Sequence, residues 1–600
     1  MQTVWKIKNK KGNFNDLGLK YGISPVLAKL LINRNVKEED FSDYLSDSYT
    51  SVDINTVLKL KDIEKAADIL RKKISEGKKI RVVGDYDVDG ICSTYILVNI
   101  IRDAGGIVDF KIPHRFVDGY GINVNIVNKA IEDGVDTIIT CDNGIKSMEQ
   151  AKVAKAAGLT YIVTDHHEIS FEMVGDEKKY IIPSCDAVVD QKLVDSEYPY
   201  REICGTVIAY RLAQVLYGVN NTDISVPSRE SILQFKARED EYTIIQMIAT
   251  IADVMPVYGE NRKLIKKGLS LIKTTDNLGL RALIKEQSLN INTINSYNVG
   301  FGIAPCLNAA GRLESADLGF GLLDAKEPGT AQTLSIKLCD LNNRRKGMTE
   351  EAYKKGVEIC DSSDDAILVV YIPKVHEGVI GIVASKLVER YNKPIYAITD
   401  SENGYKGSGR SVKGYNMIED MTLHGEYFSK YGGHEMAAGF SFNTMEDVNN
   451  FREAVNKDTN MPKEPVKEIL ADMQLPFNHV TVSLCHDIDR MEPYGEGNES
   501  PLFMQKDITL KSLRFIGKDF SSASMELCDD TGYTVRAVMF KRADEIKSEI
   551  LRIYGEDRLN LSLRSQESGI KLAAAFELSV NDFRGNESAQ LMIREVKFVE

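Results

Sequence analysis

The chain has 600 residues, more than one core organises, so about three to five domains are expected. At 43% hydrophobic and 27% charged, with one Trp and no run of about 18 apolar residues, it reads as soluble and globular, with no membrane helix. A net charge of −13 argues against wholesale charge-driven binding to nucleic acid, but leaves room for a local basic groove. The first residues, MQTVWKIKNKKGN, lack the apolar core of a signal peptide. The nine cysteines are scattered singly without CxxC, as in reduced cytosolic proteins, and offer no structural zinc site. The expectation is a cytoplasmic protein with no membrane association.

Residues 1–60 read as an N-terminal helical extension without chemical signatures. From Lys78 the pattern changes. KKIRVVGDYD, VDTIITCDNG, LTYIVTDHHE and YIIPSCDAVVD alternate with helical stretches such as CSTYILVNIIRDAG and KSMEQAKVAKAAG. Continuous apolar strands alternating with helices imply an α/β fold with a parallel sheet covered on both faces. Ligands bind beyond the carboxyl ends of such strands, where Asp85, Asp87, Asp89, Asp142, Asp165, His166 and His167 fall. The segment AQTLSIKLCDLNNRRKGMTEEAYKKGVEI reads as one long helix, with Leu334, Leu341 and Met348 at heptad spacing. Its Arg344, Arg345 and Lys346 read as a solvated face, with contact to a DNA backbone as the alternative. A second α/β unit starts near Ala366. After the linker-like MPKEPVKE, the segments ITLKSLRFIG, TVRAVMF, LNLSLRS, KLAAAFELSV and AQLMIREVKFV suggest a small β-barrel or sandwich. The expected divisions are 1–60, 61–315, a connecting helix in 316–364, 365–462 and 463–600.

A buried strand ending in Asp-Tyr-Asp-Val-Asp-Gly sets three like charges beside a core, a conflict that a divalent cation resolves. Carboxylate and imidazole suit Mn²⁺ or Mg²⁺. In an extended chain Asp87 and Asp89 would point the same way, and Gly90 would permit a tight turn into the next helix. Singly, each residue has an ordinary reading: an Asp at a strand end caps a helix, and Asp142-Asn143-Gly144 makes a turn. Together, three successive strand ends carrying ligand-type side chains point to a metal site, with two ions clamping a phosphoryl group and Asp142 bridging them. Asp253, ending the apolar helix in ATIADVMP, is the best candidate for a further carboxylate; alone it reads as helix-terminal.

GDYDVDG, CDNG, TDHH and IADVMP follow in an order and spacing that resemble the DHH phosphoesterase superfamily. LNAAGRL, HEGVIGIVASKL, GSGRS, YGGHEMAAGF and EPYGEGNESPLF are similar to its RecJ branch of single-strand-specific exonucleases, from about residue 20 to the C-terminus. The resemblance implies a DHH domain, a second α/β (DHHA1) domain and an OB-fold barrel. It implies 5′→3′ hydrolysis of single-stranded DNA to mononucleotides, in repair and recombination, with two Mn²⁺ or Mg²⁺ ions. Carried over by position, Asp87, Asp89, Asp142, His166 and Asp253 resemble the metal ligands. His167 resembles a contact to the scissile phosphate, with Asp85 and Asp165 supporting it. Arg115, Ser408 and Arg410 resemble a 5′-phosphate pocket, where guanidinium groups bind phosphate oxygens in a fork. Asn308 and Arg312 resemble substrate contacts near the metals. His434 sits in a glycine-rich motif that would let nucleotide approach the backbone, or pack as a helix on its neighbour.

Departures from the family pattern stand at His114, Cys306 (where Arg is common), Val375, VVDQK (where an Asn-Pro segment is usual) and GTVIAY, and none removes an expected metal ligand. A monomer is expected, with single-strand-binding protein and a helicase as family-implied partners. The rival readings are a phosphodiesterase of the same superfamily for short oligoribonucleotides or cyclic dinucleotides, and a non-catalytic replication scaffold. A barrel is superfluous for the first, and intact metal ligands are superfluous for the second.

Overall fold

Lys79–Val83 (KIRVV), Thr137–Cys141 (TIITC) and Thr160–Thr164 (TYIVT) are β-branched runs buried along almost their whole length. Such strands lack the alternation of a half-exposed sheet and need cover on both faces. In the computed structural model, which describes residues 3–47, 51–175, 177–218, 227–457 and 459–599, they are the centre of a five-stranded parallel sheet. Its order is Ile107–Lys111, Lys79–Val83, Thr137–Cys141, Thr160–Thr164, Ala187–Val189. The chain runs outward from Lys79–Val83 to Ile107–Lys111, then returns to the other side at Thr137–Cys141. The strand order therefore reverses between Lys79–Val83 and Thr137–Cys141, and a crevice opens at their carboxyl ends. The helix Val88–Asp103 is buried from Val88 through Ile101, so it forms the middle of the core and no amphipathic face is seen.

The chain forms two compact units: Met1–Ser48 with Val466–Tyr494 and Glu499–Glu600, and Tyr49–Pro465 with Gly495–Asn498. The larger unit holds the parallel sheet and a second five-stranded sheet. That sheet runs Lys430–Gly433, Ala437–Phe442, Gly404–Arg410, Ile395–Ser401, Leu368–Tyr371, with only the last pair parallel. Between the sheets in sequence runs the helix Pro328–Asp361, whose 34 residues span about 50 Å at ~1.5 Å per residue. Leu338 and Leu341 are buried on it as the heptad reading expects, but Asn342 also takes a fully buried position.

The smaller unit is a closed five-stranded barrel. Phe503–Ile516, Ser522–Cys528, Thr534–Met539, Asn586–Phe598 and Lys571–Phe583 pair in that order, and the last returns to the first. Register shifts at Leu510/Ser512, Gln505/Ile508 and Ala575/Phe576 bend the long strands enough to close. Phe503 is core; Phe515 packs against it.

Three local readings are corrected. Residues 1–60 are not wholly helical: Thr3–Ile7 is a strand parallel to Lys467–Ala471, and Leu27, Leu30, Leu31 and Phe41 join the barrel core. A five-residue strand whose partner lies over 450 residues away leaves no local signature. LNLSLRS is not a strand but the end of the helix Ala543–Leu563. Its alternating leucines mimic a strand, whereas Ile546 and Ile550 set the helical period and Gly555, at φ 79°, kinks the helix so that Leu559 and Ser562 bury. YGGHEMAAGF is a β-hairpin, so its packed-helix alternative falls. Among the described residues no helix is long and apolar enough to cross a membrane.

Candidate metal centre and phosphate cleft

The GDYDVDG segment does not remain extended through its three acids. Asp87 is the N-cap of Val88–Asp103, its carboxylate accepting from Gly90 N–H at 3.0 Å, and Asp89 already lies in the first helical turn. A helix start and not strand alternation therefore sets the two side chains, and it delivers Asp87 to the set with Asp85 and Asp142, and Asp89 to the set with His166 and Asp253. Both glycines of the motif answer to close packing. A Cβ on Gly84 would lie 2.0 Å from Thr94 Oγ1, and one on Gly90 would lie 2.3 Å from Asp85 O. Asp89 is held by a second helix start: Gly205 N–H and Thr206 N–H donate to its two oxygens at 2.6 and 2.8 Å. Gly205 cannot be larger, since its Cβ would meet Asp142 Cβ at 2.9 Å and Asp89 Oδ2 at 3.0 Å.

Asp142 leaves its strand at φ 59°, a left-handed conformation that Asp tolerates. Asn143 holds this turn, donating to the strand-end carbonyls of Val83 and Cys141 at 3.1 and 2.9 Å and accepting from Ile122 N–H at 3.2 Å. Just beyond the end of the neighbouring strand Thr160–Thr164, His166 Nε2 lies 3.0 Å from Asp142, and 3.6 Å from both Asp89 and Asp253. Three sets of possible ligand atoms lie within 4.8 Å of one another: Asp85, Asp87 and Asp142; Asp142, His166 and His167; Asp89, His166 and Asp253. Asp142 is shared by the first two and His166 by the last two.

Burial and the neighbouring carboxylates push Asp85, Asp142 and Asp253 well above the usual carboxylate range. Asp253 Oδ2 is buried and accepts no hydrogen bond. Crowded acids with an orphaned oxygen, beside an imidazole whose protonated form burial disfavours, make a donor set suited to divalent cations. The residues fit such ions.

Asp165 and His167 form a separate pair. Burial opposes charge on both, yet their contact at 2.7 Å keeps Asp165 at about 2 and raises His167 to about 9. Asp165 also accepts from Ile145 N–H and His166 N–H, which orients the strand end. The other His167 nitrogen, Nε2, meets Tyr120 OH at 2.9 Å. Asp85 accepts from Gly121 N–H at 3.3 Å, so it also ties the Tyr120 loop to the centre.

Tyr120 opens onto a cleft of about 660 Å³ lined by Tyr86, Arg115, Arg312, Ser408, Arg410 and the strand Gly404–Arg410 with its hairpin neighbour. Arg115 lies over the Tyr86 ring at 5.1 Å. The Arg312 side chain donates to Gly378 O at 3.2 Å, and Arg410 donates to Ser408 Oγ at 2.8 Å. None of these three guanidinium groups has a carboxylate partner among the described residues. Burial and mutual repulsion lower Arg410 and bring Arg312 down to about 10. Gly432 and Gly439 pair across the hairpin, and a Cβ on either would meet nothing within 4 Å, so backbone faces this cleft directly.

The expected residues thus fall into two adjoining groups. Asp85, Asp87, Asp89, Asp142, His166, His167 and Asp253 make up the three overlapping sets, Asp165 pairs with His167 at their edge, and Arg115, Arg312, Ser408 and Arg410 line one cleft. Asn308 does neither directly: its Oδ1 accepts from Val88 N–H at 3.1 Å, which fixes the helix start carrying Asp87 and Asp89. His434 lies near Lys146 and His167, which with burial lower its pKa. Tyr120, Asn143 and Gly205 went unassigned from the sequence. Tyr120 lies five residues after Arg115 and Asn143 within CDNG, whereas only the fold shows what Gly205 abuts.

The DHH family N-terminal domain profile matches residues 79–237, the DHHA1 domain 364–460 and the RecJ OB domain 471–595. The chain is 31% identical over 587 residues to the single-stranded-DNA-specific exonuclease RecJ of Bacillus subtilis, covering 96% of this chain and 68% of that one. It is 29% identical to the Escherichia coli protein of the same name, covering 90% of each. The crystal structure of RecJ in complex with Mn²⁺ from Thermus thermophilus matches with a TM-score of 0.79 at 26% identity, over 100% of this chain and 80% of that one. These matches run through all three domains. The chain belongs to the RecJ family of single-stranded-DNA-specific exonucleases.

Proposed function

We propose that this protein is a metal-dependent 5′→3′ exonuclease that removes mononucleotides from single-stranded DNA. The observation that carries the reading is one continuous site: a crowded carboxylate–imidazole cluster reached through Tyr120 from a cleft of carboxylate-free guanidinium groups. Asp87, Asp89, Asp142, His166 and Asp253 would hold two Mn²⁺ or Mg²⁺ ions, with Asp142 shared. Bound there, the ions would supply Lewis-acid stabilisation of the phosphoryl oxygens and lower the pKa of the attacking water.

The chain's own groups do the rest. Arg115, Ser408 and Arg410 hold the 5′-phosphate, and Arg312 faces the backbone between that pocket and Asp87. His167, cationic through its pair with Asp165, would share the Nε2–H that meets Tyr120 with the scissile phosphate and stabilise charge that grows in the transition state. Asn308 and the amides of Gly205 and Thr206 keep Asp87 and Asp89 in register. In this assignment residues 61–315 carry the chemistry, 316–364 connect, 365–462 bind the strand end, and the barrel within 463–600 binds further nucleotides by stacking and backbone contacts. A cytoplasmic location, a monomeric state, and single-strand-binding protein and a helicase as partners belong to the same proposal.

The test is digestion of end-labelled strands with Mn²⁺, beside duplex, short RNA and cyclic dinucleotide, with Asp142→Ala as control. Mononucleotide release from the 5′ end of single strands alone, lost in the variant, is expected. Equal digestion from both ends, activity in Asp142→Ala, or preference for the cyclic dinucleotide overturns the reading.

A further inference from the structure

The connecting helix Pro328–Asp361 exposes Arg344 and Lys346 to solvent, as a charged helix face should. Arg345 between them does not follow: it is half-buried on the helix that packs against Ala304–Leu313, the helix carrying Arg312, and its charge disfavours the cationic form of that residue. Among the described residues, the only hydrogen bonds of its side chain run from Nε and Nη2 to Asn342 Oδ1, at 3.0 and 2.9 Å. No carboxylate lies within ion-pair distance of it among the described residues.

That arrangement is built, one turn along, from a fully buried amide. Asn342 Nδ2 donates to Cys306 Sγ at 3.3 Å, and Cys306 is itself buried. A guanidinium only donates, so Asn342 must turn its oxygen to Arg345 and its nitrogen to the sulfur. A polar side chain at a core position of the helix is destabilising unless it is used, and here it clamps one edge of the guanidinium. The Nη1 side of the guanidinium makes no hydrogen bond to any described residue. Arg345 therefore stands, over the helix that carries Arg312, as a cation partly out of water, without an anion among the described residues and pre-oriented to bind one. Burial lowers its pKa, as for Arg312 and Arg410.

We infer that Arg345, clamped by Asn342, is a further substrate-binding residue that takes an internucleotide phosphate of the bound strand, adjacent to the one facing Arg312. The connecting helix thus contributes to strand binding, in addition to joining the two sheets.

This inference rests on the proposed single-strand substrate, and its test separates the two. Full-length protein carrying Asp142→Ala, which binds without cleaving, is titrated with a fluorescent 5′-phosphorylated oligo(dT) over a series of salt concentrations. Adding Arg345→Gln is expected to raise Kd roughly tenfold and to make the slope of log K against log salt shallower by about 0.7, the loss of one phosphate contact. Arg345→Lys, which keeps the charge and loses the fork, is expected to weaken binding while keeping the slope. A parent that binds no strand refutes the proposed function and this inference with it. A parent that binds, with Arg345→Gln unchanged in both Kd and slope, refutes the inference alone. So does a weakening shared equally by Gln and Lys with no change of slope, since that marks a packing role.

Discussion

Replacing Asp190 by Asn isolates an electrostatic cost in the catalytic sheet. Asp190 follows the strand Ala187–Val189 and is fully buried. Its Oδ1 accepts from Lys192 N–H at 2.7 Å, and its Oδ2 accepts nothing. Burial, and then the nearby Asp165, push its carboxyl up to about 8. A folded-state value above the unfolded one means that the folded state binds the extra proton. The linked stability is fully present below about pH 4 and is lost as pH rises through about 8. At about 1.4 kcal/mol per pH unit, wild type should lose about 2–3 kcal/mol between about pH 6 and 9, most of it below pH 8. Asn keeps an acceptor for Lys192 N–H and has no proton to release. The variant should therefore gain on wild type by that amount over the interval, whatever constant offset the new amide introduces.

Hydrogen exchange of peptides spanning Ala187–Leu193 reads this locally and avoids treating a two-unit chain as two-state. Comparing proteins at equal pH cancels the intrinsic exchange rate. The protection ratio of variant to wild type should rise on the order of 30–100-fold from about pH 6 to 9. A ratio constant with pH would show that Asp190 carries no displaced proton, and the argument from its orphaned oxygen would fail.

Tyr120→Phe removes the O–H that orients His167 and should lower kcat about 10–100-fold with KM for the strand little changed, the worth of one hydrogen bond to a charged group; a matching rise in KM would instead place Tyr120 in binding. Arg410→Ala should cut the preference for 5′-phosphorylated over 5′-hydroxyl strands about tenfold in competition digests, and an unchanged preference would remove it from the terminal-phosphate pocket. Gly205→Ala forces a methyl against Asp142 and should weaken Mn²⁺ binding, measured by calorimetry, about 10–100-fold. Wild-type affinity there would mean that the helix start shifts without disturbing the two carboxylates.

Much of the centre was legible because its chemistry is local. Each βα junction announces itself by an apolar β-branched run followed by acids or histidines, and a parallel sheet brings consecutive junctions to one edge. The glycine-rich hairpin was legible as a place of close approach, while its secondary structure stayed open, since small residues permit both a tight helix crossing and a bare strand. Asp87 and Asp89 were expected on one side of an extended chain, but the helix starts at Val88, so the two reach different ligand sets.

Composition and pattern specified the doubly covered parallel sheet, the strand ends that carry the acids, the long connecting helix and the barrel. These follow from hydrophobic period and from which residues end each run. Only the tertiary structure decided that the amides of Gly205 and Thr206 hold Asp89, that Tyr120 completes the Asp165–His167 pair, and that Arg345 turns inward while Arg344 and Lys346 face solvent. It also decided that Thr3–Ile7 pairs with Lys467–Ala471. Each of these contacts joins residues whose separation in sequence, or place on a helix surface, carries no periodic signal. They are set by how packed elements bring backbone donors, guanidinium groups and buried amides to within about 3 Å of one another.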